Sequence, residues 1–141
     1  MPGYSGTPLA KKLGLAPGLR VGTKNAPANW GELVAPLPDG VVLVPTGRKD
    51  LDVVHFFTTS RAELRRELER QVARLQPNGA LWVSWPKKAS GVKTDVTEDV
   101  IREEALPRGL VDVKVCAVDD VWSGLKLVVR KELRGKGGRA R

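Results

Sequence analysis

Two strand-like segments near the C-terminus are joined by a connection too short for anything but a hairpin. Val111–Val118 and Leu125–Arg130 are rich in apolar residues, and the turn signal Ser123-Gly124 lies between them. Two parallel strands would need a crossover of about a dozen residues or more. These two strands must therefore run antiparallel, so the fold has to close with a hairpin.

Upstream of the hairpin, predicted strands alternate with predicted helices. Strand patterns lie at Leu19–Thr23, Val41–Val44, Asp52–Phe57 and Ala80–Trp85, and helical patterns follow Thr7, Asn29, Ser60 and Asp95. Thr7 is expected to cap the first helix. Ser60 with Glu63, and Asp95 with Glu98, have the spacing of capping boxes. Pro77-Asn78-Gly79 is expected to end the helix that begins at Ser60.

This alternation predicts an α/β fold, a Rossmann-like three-layer sandwich with a mostly parallel six-stranded sheet. The expected strand order is 2-1-3-4-6-5, within one domain over residues 1–133. Val41–Val44 is an all-apolar run of the kind found in buried parallel strands. Only Pro45–Leu51 separates it from the next strand. Either this crossover is an extended loop, or the second strand is a short edge strand.

Length and composition favour a single soluble globular domain. The chain has 141 residues, of which 41% are hydrophobic and 28% charged. It has no apolar run long enough to span a membrane and no secretory signal pattern at its start, so we expect a cytoplasmic protein. Cys116 is the sole cysteine, which excludes an intrachain disulfide and a cysteine-rich metal site. No metal-ligand spacing is present.

The net charge is +8, and half of it comes from the last residues. Arg134, Lys136, Arg139 and Arg141 supply four charges, so the rest of the chain carries +8 − 4 = +4. Glycine-rich residues 134–141 have no large apolar side chain to anchor them and are expected to form a disordered basic tail. A nucleic-acid accessory role through this tail is one alternative function, less favoured because the remaining charge is ordinary.

The order of elements resembles a class I methyltransferase domain. Asp52-Val-Val resembles the central strand of that fold, Leu75-Gln-Pro-Asn-Gly-Ala-Leu-Trp82 resembles its helix-turn-strand segment, and the closing hairpin resembles its reversed last strand. Nearly the whole chain apart from the tail resembles more closely a bacterial family, domain-of-unknown-function family 3052. The residues that carry this second resemblance are Tyr4-Ser-Gly-Thr-Pro-Leu-Ala-Lys-Lys-Leu-Gly14, Trp85-Pro-Lys-Lys88, Asp95 with the helix after it, and Trp122-Ser-Gly-Leu-Lys-Leu-Val128.

The chain departs from the methyltransferase pattern where that fold binds its cofactor. Gly22–Trp30 follows the first strand and lacks the Gly-x-Gly spacing that lets a backbone approach S-adenosylmethionine closely. Val44-Pro45-Thr46 stands where an acidic residue usually holds the ribose hydroxyls. One strand-helix unit is also missing. We therefore predict no cofactor, no catalytic residues and no methyltransferase activity. An S-adenosylmethionine-dependent methyltransferase with a remodelled cofactor loop is the main alternative.

Ligands of open α/β sheets bind beyond the carboxyl ends of the strands, which points to a candidate site. The residues expected there are Asn25, Thr58, Trp85, Lys87, Lys88, Ser90, Asp95 and Thr97. Lysines bind phosphate or carboxylate as point charges, and a helix start adds N–H donors. We therefore predict binding of a small anionic ligand or an acidic protein partner at the Trp85–Asp95 loop, with the oligomeric state open. The competing interpretation is a surface loop with two solvated lysines.

Other reactive residue types fit structural roles. His55 lies within an apolar strand and is expected to be a core histidine rather than a catalytic base. Cys116 is flanked by apolar residues and is expected to act as a small buried hydrophobe. Asp119 and Asp120 are adjacent, and one of them is expected to cap the turn before Trp122.

Overall fold

The computed structural model describes residues 7–45 and 47–134, and these form a six-stranded sheet with helices on both faces. The strands are β1 (Arg20–Lys24), β2 (Val42–Leu43), β3 (Leu51–Phe57), β4 (Leu75–Pro86), β5 (Leu110–Ala117) and β6 (Trp122–Val129). The α-helices are α1 (Leu9–Lys12), α2 (Trp30–Leu33), α3 (Arg61–Val72) and α4 (Glu98–Ala105). Short 3-10 turns lie at Lys88–Ser90, Leu106–Arg108 and Lys131–Leu133. Of the predicted disordered tail, residues 135–141 lie outside the described residues, whereas Arg134 is described and its Nε donates a hydrogen bond to Val129 O at 2.8 Å.

The strand order is β2-β1-β3-β4-β6-β5, as the sequence predicts. β1, β2, β3 and β4 pair in parallel, while β6 runs antiparallel to both β4 and β5. The short connection after Ala117 is the reason, because it can only return the chain beside β5. The carboxyl ends of β1 to β4 therefore meet at one edge of the sheet.

Both faces of the central strands are buried. Val54, Phe56 and Leu81 belong to the core beneath α3 and α4. Phe57 and Trp82 belong to the core on the opposite face, beneath α1 and α2. Side chains alternate between the faces of a strand, so burial on both sides accounts for the continuous apolar runs of β3 and β4.

The second strand corrects one prediction. β2 has only two residues, and its Val42 and Leu43 side chains are 46% and 52% exposed. The expectation that Val41–Val44 is a buried parallel strand is wrong, because β2 pairs with β1 alone and lies at the sheet edge. Both possibilities left open for the crossover are confirmed, since β2 is a short edge strand and the described residues between β2 and β3 form a loop without a helix.

Several expected helix ends are also wrong. Pro8 rather than Thr7 occupies the cap position of α1. The helix α3 ends at Val72, and Pro77-Asn78-Gly79 lies inside β4, because the chain has already joined the sheet by Leu75. The side chain of Thr97, not Asp95, caps α4 by accepting a hydrogen bond from Val100 N.

The buried carboxylate of Glu104 joins α4 to α3 by accepting hydrogen bonds from arginine side chains. Glu104 is 6% exposed, and its Oε2 accepts hydrogen bonds from Arg61 Nε and Arg65 Nε, both at 2.8 Å. Its Oε1 accepts a third from Arg108 Nη1 at 3.1 Å. Burial alone would raise the pKa of Glu104, yet the hydrogen bonds from Arg61 and Arg65 bring it below its ordinary value.

Arg74 holds the crossover from β2 to β3, whose described residues form no helix. Its guanidinium donates to the carbonyl oxygens of Thr23, Pro45 and Arg48 at 3.2, 3.4 and 3.3 Å, and to Gln71 Oε1 at 2.9 Å. Arg74 is only 6% exposed, and this burial lowers its pKa. Gly22 leaves room for the group, since a Cβ there would lie 2.6 Å from Arg74 Nη2.

Replacing Arg74 should therefore destabilise the fold strongly. Arg74→Met removes the donors to buried carbonyls, and we expect the free energy of unfolding to fall by about 3 kcal/mol in chemical denaturation. Arg70→Met is the matched control, because that side chain is 68% exposed and pairs only with Glu67 at the helix surface. The control should cost less than about 1 kcal/mol. Equal losses for the two variants would contradict the role given to Arg74.

Candidate functional site

The point where the strand order reverses lies between β1 and β3. The chain proceeds from β1 to β2 on one side and from β3 to β4 on the other. In open α/β sheets the crevice at this switch point, beyond the carboxyl ends of the strands, is where ligands bind. Asn25 follows β1 and Thr58 follows β3, so two of the predicted site residues flank this crevice.

A hydrogen-bonded bridge spans the crevice. Asn25 Nδ2 donates to Phe57 O at 3.2 Å and to Glu63 Oε2 at 2.9 Å, and Thr58 Oγ1 donates to Glu63 Oε1 at 2.6 Å. Asn25 adopts a left-handed backbone conformation with φ 59°, which asparagine tolerates better than most residues. We call Asn25, Thr58 and Glu63 the switch-point bridge.

Sequence reasoning missed Glu63 because it assigned the side chain to a capping box. Half of that box is confirmed, since Ser60 Oγ accepts from Glu63 N at 3.2 Å. The other half is absent, because Ser60 N donates to Thr58 Oγ1 and the Glu63 carboxylate turns to Thr58 and Asn25. Glu63 lies in the first turn of the helix that directly follows β3. That position in the sequence could have predicted a carboxylate near the carboxyl ends of the strands.

The start of α3 already holds a carboxylate from the loop after β4. Asp95 Oδ1 accepts from Arg61 N at 2.7 Å, and the neighbouring Thr94 Oγ1 donates to Thr59 O at 2.6 Å. This contact corrects the sequence assignment, since Asp95 satisfies the N-terminus of α3 rather than that of α4. A negative charge is favoured there by the helix dipole, and the chain itself supplies it.

Residues 87–93, which we call the lysine loop, are held by hydrogen bonds of the Lys87 backbone and the Ser90 side chain. Lys87 N donates to Val121 O at 2.6 Å, and Ser90 Oγ donates to Lys87 O at 2.7 Å and accepts from Val92 N. Lys87 is half-buried, whereas Lys88 and Lys93 are exposed. Within the described part of the chain, none of these three lysines forms an ion pair.

The remaining predicted residues lie at the base of the loop and beyond it. Trp85 is 8% exposed and belongs to the core beneath α3 and α4. Thr97 is exposed and caps α4, whose first turn carries Glu98 and Asp99. Arg102 pairs with both of these carboxylates.

None of the eight predicted residues lines the cavities of about 690, 490 and 230 Å³ found elsewhere in the described residues.

His55 is a core histidine, as predicted. It is fully buried, and its Nδ1 accepts a hydrogen bond from Trp30 Nε1 at 3.1 Å. The neutral ring therefore carries its proton on Nε2, which donates to Ser84 Oγ at 2.7 Å. Burial lowers the pKa of His55 to about 3. Ser84 is also fully buried, so this pair has no access to a substrate.

Neither Cys116 nor Asp119 adds a reactive group. Cys116 is half-buried, and this burial raises the pKa of its thiol. Asp119 Oδ1 accepts from Val121 N and Trp122 N, both at 2.8 Å, which confirms the predicted turn cap. Across residues 7–45 and 47–134, no group of three or more His, Cys, Asp and Glu could hold a metal ion.

The buried, neutral His55 makes stability depend on pH. The unfolded chain binds a proton near the ordinary pKa of 6.5, whereas the folded chain does so only near 3. The stabilisation is therefore complete above 6.5 and is lost as the pH falls towards 3. Between pH 7 and pH 5 the loss should be about 2 kcal/mol.

The measurement is urea denaturation at both pH values for the wild type and for His55→Gln, which cannot titrate. The variant will differ in absolute stability, but its loss between the two pH values should be smaller by that amount. Parallel losses would show that His55 is not held neutral.

The fold is similar to that of solved methyltransferase structures. A methyltransferase dependent on S-adenosylmethionine from Aquifex aeolicus superposes with a TM-score of 0.61 at 14% identity, covering 86% of this chain and 88% of that one. An O-methyltransferase from Thermotoga maritima gives 0.58 at 8%, covering 86% and 63%. A fibrillarin pre-rRNA processing protein from Methanococcus jannaschii gives 0.55 at 9%, covering 82% and 68%. These superpositions establish a class I methyltransferase-like fold, and at such low sequence identities they establish nothing further.

The family follows from the sequence match. The family model described as "Protein of unknown function (DUF3052)" matches residues 43–131, and the chain belongs to this family. No curated protein matches the chain. Of the helices described, none is both long and apolar enough to cross a membrane.

Proposed function

We propose that this protein is a methyltransferase-fold binding module that does not catalyse methyl transfer. The observation that supports this most directly is the switch-point bridge. A cofactor entering between β1 and β3 would have to break the hydrogen bonds from Asn25 and Thr58 to Glu63, and the freed carboxylate would then need new donors. The crevice that this fold offers to a ligand is used by the chain itself.

The backbone around the crevice supports the same proposal. Gly22 is the single glycine in Gly22–Trp30, and the space above it is taken by the Arg74 guanidinium. Arg74 also binds Pro45 O just after β2, where a ribose would lie if a nucleoside bound as the fold allows. Close approach of a ligand to this backbone would require the guanidinium to leave its buried position.

The binding partner that the surface supports best is an acidic protein at the lysine loop. Lys88 and Lys93 are exposed and lack ion pairs among the described residues, and Val92 between them is 43% exposed. Two cations around an exposed apolar side chain suit a protein surface with matching carboxylates. A small anionic ligand would instead need a concave site, and the lysine loop borders none of the three cavities reported above.

Calorimetric titration with S-adenosylmethionine and with S-adenosylhomocysteine tests the absence of a cofactor site. We expect no saturable binding below about 1 mM, which corresponds to roughly −4 kcal/mol. A titrated protein of the same fold with known cofactor affinity serves as the positive control. A micromolar Kd for the wild type would overturn the proposal and support the alternative, a methyltransferase with a remodelled cofactor loop.

The lysine loop is tested with the double variant Lys88→Ala/Lys93→Ala and a polyglutamate probe at low salt. The free energy of unfolding should change by less than about 1 kcal/mol, because exposed charges contribute little to stability. Binding of the probe should weaken several-fold. The control, Lys114→Ala/Lys131→Ala, removes the same charge from exposed positions elsewhere and should retain binding. Equal weakening by both variants would mean that only net charge matters, and a preference for duplex DNA over polyglutamate would favour the nucleic-acid role.

A further inference from the structure

A groove lies at the amino edge of the sheet, on the side opposite to the lysine loop. It consists of two adjoining cavities of about 690 and 230 Å³ that share Val72 and Ala73. The larger is lined by Lys49, Asp50, Val72, Ala73, Leu75, Gln76, Pro77, Val129, Leu133 and Arg134. The smaller is lined by Leu68, Glu69, Val72, Ala73, Arg108 and Leu110. We call the two together the amino-edge groove.

The groove has an aliphatic strip among its polar side chains. Leu68 and Val72 of α3 and Leu75 of β4 contribute to the strip, and Val129 and Leu133 from the end of the chain's last strand and the turn after it line the same groove. Leu133 is 39% exposed although it is a large apolar side chain. The larger cavity has the volume of a small-molecule site, which typically combines apolar walls with a few polar groups.

One of those polar groups lacks a hydrogen-bond partner. Arg108 Nε is buried and donates no hydrogen bond within the described residues. Its ion pair with Glu69 Oε2 spans 3.8 Å, which is beyond hydrogen-bond distance. Arg108 Nη1 is already committed to Glu104 O and Oε1. A buried, unsatisfied donor on a charged group is costly and calls for an acceptor at that place.

Cationic side chains line both ends of the groove. Arg108 lines the narrow end, and Lys49 and Arg134 line the wide end, against Glu69 and Asp50. The Glu69 side chain is 78% exposed and can turn to solvent. We propose that the amino-edge groove binds a medium-chain aliphatic carboxylate, with its carboxylate at Arg108 and its alkyl chain over Val72 towards Leu133. This proposal is independent of the lysine loop, which lies at the other edge.

Sodium decanoate is the probe, and calorimetry with methyl NMR is the measurement. The wild type should bind one decanoate saturably, with shifts of the Leu68, Val72, Leu110 and Leu133 methyl signals. Ala73→Phe places a ring in the groove without removing a charge and should weaken binding at least tenfold. Ala62→Phe is the control, since Ala62 is an exposed alanine of the same helix that does not line the groove. It should bind like the wild type.

The carboxylate position is tested with Arg108→Gln against two probes, decanoate and neutral decanol. Decanoate binding should weaken about tenfold, and decanol binding should not change. Arg65→Gln is the matched control, because Arg65 also binds Glu104 but does not line the groove. Three results would each overturn the proposal: no saturable decanoate binding, binding that survives Ala73→Phe, or equal weakening by Arg108→Gln and Arg65→Gln.

Discussion

The buried guanidinium of Arg74 is the contact on which the parallel half of the sheet depends. A crossover between parallel strands is normally a helix, which satisfies its own backbone. Here the described residues between β2 and β3 form none, so their carbonyl oxygens need donors from elsewhere. Arg74 reaches Pro45, Arg48 and the β1 residue Thr23 at once. It therefore ties the crossover to β1, and Gln71 fixes its position from α3.

Arg74 also reaches residues near the carboxyl ends of β1 and β2. Arg74 also fills the space beside Gly22 within β1, where a Cβ would lie 2.6 Å from its Nη2. The chain after β1 then turns at Asn25, whose amide reaches across to Phe57 O and Glu63. The shortened crossover and the buried arginine are thus joined by direct hydrogen bonds, and the hydrogen bonds of Asn25 lie beside them at the end of β1. A likeness of fold to methyltransferases does not by itself assign an activity, because function resides in sites rather than in folds.

The strand order could be predicted from the sequence because two constraints fix it. The short hairpin connection forces β6 antiparallel, and the alternation of strands and helices makes the rest parallel. Helix ends were harder, because Thr97 and Asp95 are both good caps and only tertiary packing shows that Asp95 faces Arg61 N. The clustering of Asn25 with Thr58 was foreseeable from topology. Glu63 and Arg74 were not, because their partners lie far away in the sequence and only the folded chain reveals them.

The charges at the start of α3 limit the kind of anion that this edge can hold. Helix N-termini favour negative groups through their free N–H donors. In α3 the N–H groups of Arg61 and Glu63 are met by Asp95 and Ser60, and the Glu63 side chain adds a further carboxylate beside them. An incoming phosphate would meet two negative groups and no free donor from this helix's first turn at Arg61 or Glu63. Under the proposed function the attraction comes from the lysine loop, as separated point charges on an exposed segment. Such an arrangement suits several carboxylates spread over a protein surface better than one compact anion in a pocket.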